Sequence, residues 1–242
     1  MTERRQAAVG LALAAAIAIA WAALHVWSVF RQPLHGPALL AAPFLVAALC
    51  WLNVGLFIVA HDAMHGSLAP RRPTLNRWAG RVALAIYAGF SFDRLLPKHH
   101  AHHRSPGTAD DPDFSEAHPD GFWRWYAAFF AQYFGLREVM VLTFLTGFYL
   151  FALGASYANL LVFWALPAIL SSLQLFLFGT FLPHRHGERE FGDEHRARSN
   201  EYGWLASLLT CFHFGYHREH HLSPGTPWWR LPQARVRSAP TR

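Results

Sequence analysis

The sequence predicts an all-α integral membrane protein, in which four transmembrane helices form two hairpins with a cytoplasmic helical cap. Composition is the first reason, because apolar residues make up 53% of the 242 residues and charged residues only 15%, well below the roughly 25% usual in soluble domains. The second reason is that four apolar runs occur in two pairs. The third is an excess of histidine, sixteen residues in all, most of them clustered beside those runs. Length and composition favour one domain over residues 1–242.

The first hairpin is predicted from the apolar runs 7–30 and 37–60. Each run is long enough to cross roughly 30 Å of hydrocarbon as a helix that rises about 1.5 Å per residue. A connection rich in proline and glycine joins them, so the two helices are antiparallel. A signal peptide is the alternative for the first run, but signal peptides have a shorter apolar core and a small-residue cleavage site, which Arg31-Gln32-Pro33 does not resemble.

The second hairpin is predicted from the runs 139–153 and 157–182, which are separated only by Gly154-Ala155-Ser156. The polar segments 61–138 and 183–242 are assigned to the cytoplasm. Within the first segment, the apolar stretch 82–92 is too short to cross a bilayer and is expected to lie at its interface. Residues 236–242 have the composition of a disordered tail.

The basic residues are distributed as in a membrane protein whose long connections face the cytoplasm. The formal net charge is +6, but none of the 21 lysines and arginines lies between Arg137 and Arg185, and most lie in the two polar segments, as the positive-inside rule requires. Four crossings then place both termini in the cytoplasm. This distribution argues against nucleic-acid binding, and the two cysteines support neither a disulfide framework nor a cysteine metal site.

Three histidine clusters have the spacing of metal ligands. They are His61 and His65 (H-x-x-x-H), His99, His102 and His103 (H-x-x-H-H), and His217, His220 and His221 (H-x-x-H-H). Residues three or four apart lie on one face of a helix, so each cluster directs its imidazoles to one point. Neutral imidazole suits first-row ions such as Zn, Cu, Fe and Ni, and eight such ligands exceed what one ion needs. The sequence therefore predicts two metal ions at the cytoplasmic end of the helices.

Several further side chains are candidates for the same site. His184 directly follows the fourth apolar run, at the membrane level expected for His61, and is predicted to be a ninth ligand. Six further residues are candidates for extra ligands or for partners that orient the imidazole rings. They are His186, His195, His213, Asp62, Asp111 and Asp113. His100 would point about 100° away from the shared helix face and is excluded. The isolated His25, His35 and His118 are interpreted as ordinary surface or core residues.

Two other classes of protein can contain many histidines. A divalent-metal transporter needs charged or polar residues along a path through the membrane, and the apolar runs are nearly free of carboxylates. A bis-histidine haem protein needs paired histidines within the spanning helices, where the sequence has only His25. The chain also lacks a G-x-G-x-x-G fingerprint after a strand and a P-loop, so any reducing power must come from another protein.

The histidine clusters around two apolar hairpins resemble those of the membrane fatty-acid desaturase and hydroxylase superfamily. Within it, four stretches are similar to the bacterial β-carotene ketolases. They are 57–66 (FIVAHDAMHG), 105–114 (SPGTADDPDF), 178–185 (FGTFLPHR), and 211–232, which includes CFHFG, HREHH and PWWRLP. The resemblance covers almost the whole chain, and the motifs occur in the expected order. Hydroxylases of the same carotenoid rings have different cluster spacing, which favours a ketolase.

The resemblance implies a non-haem di-iron oxygenase that uses two Fe²⁺ ions and O2. Its implied ligands are His61, His65, His99, His102, His103, His184, His217, His220 and His221. The implied reaction converts the C4 methylene of the β-ionone rings of β-carotene to a ketone by successive hydroxylation, giving echinenone and canthaxanthin. A fatty-acyl desaturase or hydroxylase, and a carotenoid ring hydroxylase, remain alternatives that share the metal site.

The substrate and the electron donor are expected to meet different surfaces. A C40 polyene must enter from the bilayer, and the aromatic and polar residues expected along its path are Trp51, Asn53, Phe176, Phe178 and Phe181, although membrane packing also explains such residues. An external donor, expected to be an acidic ferredoxin, would dock on the basic cytoplasmic face. The arginines considered for this contact are Arg71, Arg72, Arg196 and Arg198, for which anionic lipid headgroups are the alternative partners.

Overall fold

The computed structural model describes residues 1–187 and 190–235, and within these ranges it contains helices and no β-strand. We number ten helices along the described chain. They are α1 (Glu3–Phe30), α2 (Ala42–Met64), α3 (Pro73–Ala88), α4 (Phe92–Arg104), α5 (Phe122–Tyr133), α6 (Leu136–Ala152), α7 (Tyr157–His184), α8 (Trp204–Cys211), α9 (His217–Leu222) and α10 (Leu231–Ala234). The predicted all-helical architecture is confirmed. The disordered tail predicted for 236–242 lies outside the described residues.

The first two helices form the predicted antiparallel pair. Thr2 caps α1 by accepting a hydrogen bond from the backbone N–H of Arg5 at 3.4 Å, so the helix begins a few residues before the apolar run. The turn after α1 leads into a short 3₁₀ helix, Gly36–Ala41, which precedes α2. Because α2 continues to Met64, the first two cluster histidines extend the membrane helix by one further turn.

Three helices are long and apolar enough to cross a bilayer, namely α1, α2 with its preceding 3₁₀ turn, and α7. The third predicted crossing, 139–153, corresponds to α6, which ends at Ala152 and is shorter than these three helices. It becomes a fourth candidate only when it is joined to α5, and the two helices are bent by 78° where they meet. The structure therefore replaces the expected straight crossing with a broken one, since α5 and α6 share one apolar stretch that changes direction.

Helices α3 and α4 form a hairpin against α2. The stretch predicted to lie at the interface, 82–92, belongs to the longer helix α3 and to the start of α4. Gly89 ends α3 in the left-handed conformation, with φ 70°, which glycine adopts without strain. The next helix then turns back towards the end of α2. At Gly80, a Cβ atom would lie 2.3 Å from the Phe92 ring, so a glycine is needed where the two helices cross.

Two π-helical turns, Leu161–Ala165 and Leu177–Phe181, interrupt the α-helical pattern of α7. Such turns change the direction in which the following side chains point. The second turn lies immediately before Leu182–His184, so α7 ends with the His184 side chain buried at 1% exposure. The register of α7 therefore differs from that of a regular helix at the end nearest the histidine clusters.

An aromatic cluster joins α5 to α7. Trp125 is completely buried and packs edge-on against Phe176 and Phe181, and its indole N–H donates to the backbone carbonyl of Asp113 at 2.7 Å. Segment 61–138 was expected to be polar apart from 82–92, and this expectation is wrong for α5. Its aromatic residues recur at helical spacing, Phe122, Trp125, Tyr126, Phe129 and Tyr133, which is the pattern of a packed face.

Candidate metal centre

The first pair of histidines lies at the end of α2. His61 and His65 are one turn apart, with ring centroids separated by 4.9 Å. Asp62 accepts a hydrogen bond from the backbone N–H of Trp228 through Oδ2 at 3.0 Å, which ties the C-terminal segment to α2. Its Oδ1 atom lies 3.8 Å from Nδ1 of His61, too long for the ring N–H bond that was expected.

The other predicted histidines come from α4, α7 and α9, and the structure gathers them into two clusters. Cluster A contains His61, His65, His99, His103 and His220. Cluster B contains His102, His184, His217 and His221. Within each cluster the candidate ligand atoms all lie within 4.8 Å of one another. The two clusters adjoin, since the rings of His103 and His221 stack at 4.3 Å. All nine residues that the sequence proposed as ligands are brought together.

Helix α4 separates its three histidines between the clusters. His99 and His103, four residues apart, face cluster A, while His102 faces cluster B. Helix α9 does the reverse, with His217 and His221 in cluster B and His220 in cluster A. The prediction that each H-x-x-H-H sequence directs all its imidazoles to one point is therefore wrong. The i and i+4 rings share one cluster, and the i+3 ring, about 100° around the helix from its neighbour at i+4, joins the other cluster.

Many Nε2 atoms in these clusters face the Nε2 atom of another histidine rather than another kind of donor or acceptor. The Nε2 atoms of His65 and His99 are 2.6 Å apart, and those of His103 and His220 are 3.0 Å apart. His61 has neither ring nitrogen hydrogen-bonded within the described part of the chain, although both are buried. Buried polar atoms are normally satisfied, so this convergence of nitrogen lone pairs fits bound metal ions.

The electrostatics of the site favour neutral imidazoles. Burial lowers the pKa of His65 to about 3 and that of His103 to about 2, and neighbouring imidazoles reinforce both shifts. Burial also keeps the pKa values of His99 and His220 well below the ordinary range. Neutral imidazole is the form that binds metals, so the donor set suits first-row ions.

Asp111 holds His102 in a fixed orientation. The Nδ1–H of His102 donates to Asp111, with both carboxylate oxygens at 3.0 Å, and this leaves Nε2 to face cluster B. Burial alone lowers the pKa of His102, but the hydrogen bond to Asp111 and the charges of Asp113 and Asp111 outweigh it and raise the pKa. Asp111 also accepts the backbone N–H groups of Gly107 and Asp113, each at 2.8 Å. A carboxylate behind a ligand histidine is a recurrent feature of metal sites.

Asp113 lies behind His102 and beside a large cavity. Its Oδ2 atom is 3.8 Å from Nδ1 of His102, too long for a hydrogen bond, and its Oδ1 atom accepts a hydrogen bond from the Tyr133 hydroxyl. Burial raises the pKa of Asp113 to about 6. The expectation of a ring N–H bond therefore holds for Asp111. Asp113 forms no hydrogen bond with His102 and acts on it only through its charge.

Four further histidines near the clusters do not join them. His100 lies within 3.2 Å of the Met64 carbonyl, as its exclusion from the ligand set anticipated. His186 is exposed and packs against Phe114, so its candidacy is wrong. The His195 ring is 6.1 Å from that of His221, outside cluster B. His213 also lies outside both clusters, and its ring stacks parallel to that of Tyr216.

A cavity of about 380 Å³ begins at the clusters and extends along α7, a volume within the range of small-molecule sites. Its metal-proximal end is lined by His61, His99, His102 and His217. The rest of the wall is almost entirely apolar and aromatic, including Phe57, Tyr87, Phe129, Tyr133, Trp164, Leu175 and Phe214. The cavity therefore offers an apolar molecule access to the histidine clusters.

The wall residues proposed from the sequence are wrong. Asn53 accepts the indole N–H of Trp21 at 2.7 Å, and Trp51 stacks on Phe212 at 4.3 Å. Phe176 and Phe181 belong to the aromatic cluster with α5, and Phe178 approaches Tyr202. Neither these residues nor the two on α2 are among those lining the cavity.

The sequence analysis also missed residues that do line the site. Phe214 packs edge-on against both His61 and His217 at 4.5 Å and 4.7 Å, so it forms part of the cavity wall beside the clusters. Gly179 allows this contact, since a Cβ there would lie 2.9 Å from the Phe214 ring. Phe214 lies in the turn before α9, so helical spacing from the histidines could not have identified it.

Apolar helices that carry two clusters of potential metal ligands beside an apolar cavity define a class of histidine-rich membrane proteins. The sequence model for fatty acid desaturases matches residues 35–140 and 131–242. The chain belongs to the fatty acid desaturase family.

Individual relatives are similar over most of the chain. A protein named "Beta-carotene ketolase" from Paracoccus sp. strain PC1 is 50% identical over 94% of this chain and 92% of its own length. Its namesake from Paracoccus sp. strain N81106 / MBIC 01143 is 51% identical over 95% of this chain and 93% of its own length. "Beta-carotene 4-ketolase 3" of Haematococcus lacustris is 42% identical over 81% of this chain and 62% of its own length.

Proposed function

We propose that this chain is an O2-dependent β-carotene 4-ketolase. The observation that carries the proposal is the junction of two histidine clusters with an apolar cavity, in a chain about half identical to two bacterial proteins of that name along nearly their whole length. A carotenoid ring hydroxylase or a fatty-acyl desaturase would share the metal site, and only the product distinguishes them.

Cluster A and cluster B would each hold one Fe²⁺, with the nine histidines as ligands. Iron bound there with O2 supplies the oxidising power that an unactivated protein side chain lacks. The chain itself contributes orientation. Asp111 fixes the His102 ring, and the backbone carbonyl of Arg196, 2.8 Å from Nδ1 of His184, directs the Nε2 atom of His184 into cluster B.

The reaction needs two oxidations at one carbon. The C4 methylene of a β-ionone ring is allylic, so its C–H bond is weak. Two successive hydroxylations, each consuming one O2, two electrons and two protons and releasing one water, give a gem-diol, which loses water to leave the ketone. The apolar cavity wall would hold the ring beside the clusters and exclude bulk water, and Phe214 would limit how closely the ring approaches.

We propose that both termini and the clusters lie on the cytoplasmic side of the bilayer. Glu3 near the start of α1 forms an ion pair with Arg71, which lies just beyond the end of α2, and this supports placing the N-terminus and the clusters on one side. With the broken helix α5–α6 counted as a crossing, the C-terminal segment lies on that side too. The positive-inside rule assigns that side to the cytoplasm.

Electrons would come from a soluble donor, for which we propose an acidic ferredoxin. Of the arginines considered earlier, Arg196 donates to the Gly107 carbonyl at 3.1 Å and Arg198 to the Arg185 carbonyl at 2.7 Å. Both therefore also have structural contacts. Arg71 is exposed despite its ion pair with Glu3. Its side chain is therefore more accessible to a partner protein than those of Arg196 and Arg198.

The proposal is tested by coexpression with a β-carotene pathway, with ketones measured by mass spectrometry and iron by elemental analysis. The wild type is expected to convert β-carotene to echinenone and canthaxanthin and to contain two irons per chain. His102→Ala and His220→Ala are expected to lower this activity by about a hundredfold, the upper end of the loss seen when a partner behind a ligand is removed, because each removes a proposed ligand itself. His100→Ala is the matched control and is expected to keep it. Unchanged carotenoids with the wild type, or full activity in both ligand variants, would contradict the proposal.

A further inference from the structure

The cavity continues far beyond the histidine clusters along one face of α7. The lining positions Ala165, Ala168, Ser172, Leu175 and Gly179 recur at intervals of three and four residues, which is the spacing of a single helix face. Trp164 lies at the far end, and the cluster B residue His184 on the same helix is 20 residues away, roughly 30 Å at about 1.5 Å per residue. The cavity is therefore an elongated groove that follows the helix across most of the bilayer.

Small side chains form the floor of this groove. Alanine, serine and glycine occupy four of those five α7 positions. The Phe214 ring covers Gly179 and Tyr126 hydrogen-bonds Ser172 at 2.7 Å, so the room for a ligand lies mainly over Ala165 and Ala168. Phe57 and Tyr87 face it from α2 and α3, with their rings 5.9 Å apart. Ile169 lines the groove and is 54% exposed, so the groove is open to lipid along part of its length.

The far end of the groove is closed by a packed aromatic group. The Trp164 ring stacks on Tyr149 at 5.2 Å, and the Tyr149 hydroxyl lies 3.0 Å from Nε2 of the buried His25. Trp21 stacks on the other side of His25 at 4.5 Å. Since helices α1, α6 and α7 all contribute, the Trp164 indole is held in place and defines a fixed end wall.

An extended C40 carotenoid is about as long as the hydrocarbon core of a bilayer is thick, and its chain is rigid. Resting on the proposed function, we propose that the carotenoid binds lengthwise along α7, across the bilayer, with one ring at the clusters and the polyene over Ala168 and Ala165 towards Trp164. The distance from the clusters to Trp164 then limits the chain length of the substrate. Only one ring reaches the clusters in each binding event, so oxidation of the second ring requires the molecule to leave and return in the opposite orientation.

The test places a phenylalanine at two depths in the groove, as Ala168→Phe and Ala165→Phe. The two positions differ by roughly 4–5 Å along the helix. The holoenzyme in liposomes, with reductant and O2, is given β-carotene and a series of β-apocarotenals, each with one β-ionone ring and a progressively shorter chain. Ketone formation at C4 is measured by mass spectrometry. Ala22→Phe, on an exposed face of α1, is the matched control.

Both groove variants are expected to lose at least tenfold in kcat/KM on β-carotene and to stay within twofold of wild type on the shortest aldehyde, while the control is unchanged. The longest aldehyde still oxidised is expected to be longer for Ala165→Phe than for Ala168→Phe. The proposal is overturned if both variants oxidise β-carotene at the wild-type rate. It is also overturned if the longest aldehyde oxidised is the same for both variants, or if kcat/KM falls by the same factor for every chain length. A wild type that forms no C4 ketone from any compound would instead refute the proposed function.

Discussion

At the scale of single residues, the orientation of each imidazole matters more than its presence. Asp111 is 4% exposed, and its oxygens accept one ring N–H and two backbone N–H groups. Burial of the carboxylate raises its pKa, but these hydrogen bonds and the charge of His102 outweigh burial and lower it. The aspartate therefore stays charged and keeps the Nδ1 proton of His102 in place, which leaves Nε2 free to bind a metal.

We expect Asp111→Asn to lower both iron content and ketolase activity by about 10–100-fold, because the loss of a partner behind a ligand histidine typically has that effect. The measurement is iron per chain together with ketone formation on the same preparation. Asp110→Asn, at the exposed neighbouring position, is the control and should behave as wild type. Equal activity of the two variants would show that Asp111 does not orient His102.

At the scale of helices, α1 fixes the loop that follows the first histidine pair. A Cβ on Gly10 would lie 2.1 Å from the Leu68 carbonyl oxygen and 2.9 Å from the Trp229 ring. One turn earlier, the Gln6 side-chain amide donates to the Ser67 carbonyl at 2.8 Å. Glycine therefore allows α1, this loop and the C-terminal segment to meet at the end of α2.

Gly10→Ala is expected to destabilise the protein by about 1–3 kcal/mol, because a backbone oxygen cannot move aside as a flexible side chain can. Its thermal unfolding midpoint in detergent should fall below that of wild type. Gly225→Ala is the control, since a Cβ there meets no atom within 4 Å. A midpoint unchanged by Gly10→Ala would mean that α1 does not depend on this close contact.

Some features of these helices were predictable from the sequence and others were not. Apolar length was enough to predict α1, α2 and α7, since a crossing helix needs little tertiary information. The bend between α5 and α6 was missed because Arg124 and the basic surroundings made α5 look like part of a polar connection. The groove face of α7 was missed because small residues carry no distinct signal in an apolar helix, whereas the aromatic Phe178 and Phe181 do, and both pack outside the groove.

At the scale of the whole molecule, the histidine clusters connect elements that are distant in sequence. Spacing alone was enough to propose the nine residues that converge, because i, i+3 and i+4 positions share a helix face. Their division into groups of five and four could not be predicted, since it depends on how α4 and α9 pack between α2 and the end of α7. Four helices thus meet at one place through side chains that repel one another when protonated.

The proposed metal ions would stabilise that end of the molecule when they bind. Without ions, buried imidazoles such as those of His61 and His217 keep ring nitrogens with no hydrogen-bond partner in the described chain, which is unfavourable. Bound ions use those lone pairs, and a ligand that binds only the folded state stabilises it. Helix α9, with six residues, is too short to be stable by itself and should depend most on the metals.

Removal of iron with a chelator is therefore expected to lower the thermal unfolding midpoint and to increase backbone hydrogen exchange in α4 and α9. Amides in the middle of α1, which contributes no histidine to either cluster, provide the internal control and should exchange as before. His102→Ala, which lacks a cluster B ligand, should show a smaller difference between the iron-loaded and chelated forms than wild type. If chelation leaves exchange in α9 unchanged while iron is lost, packing alone holds the histidines together and the metals contribute only to the chemistry.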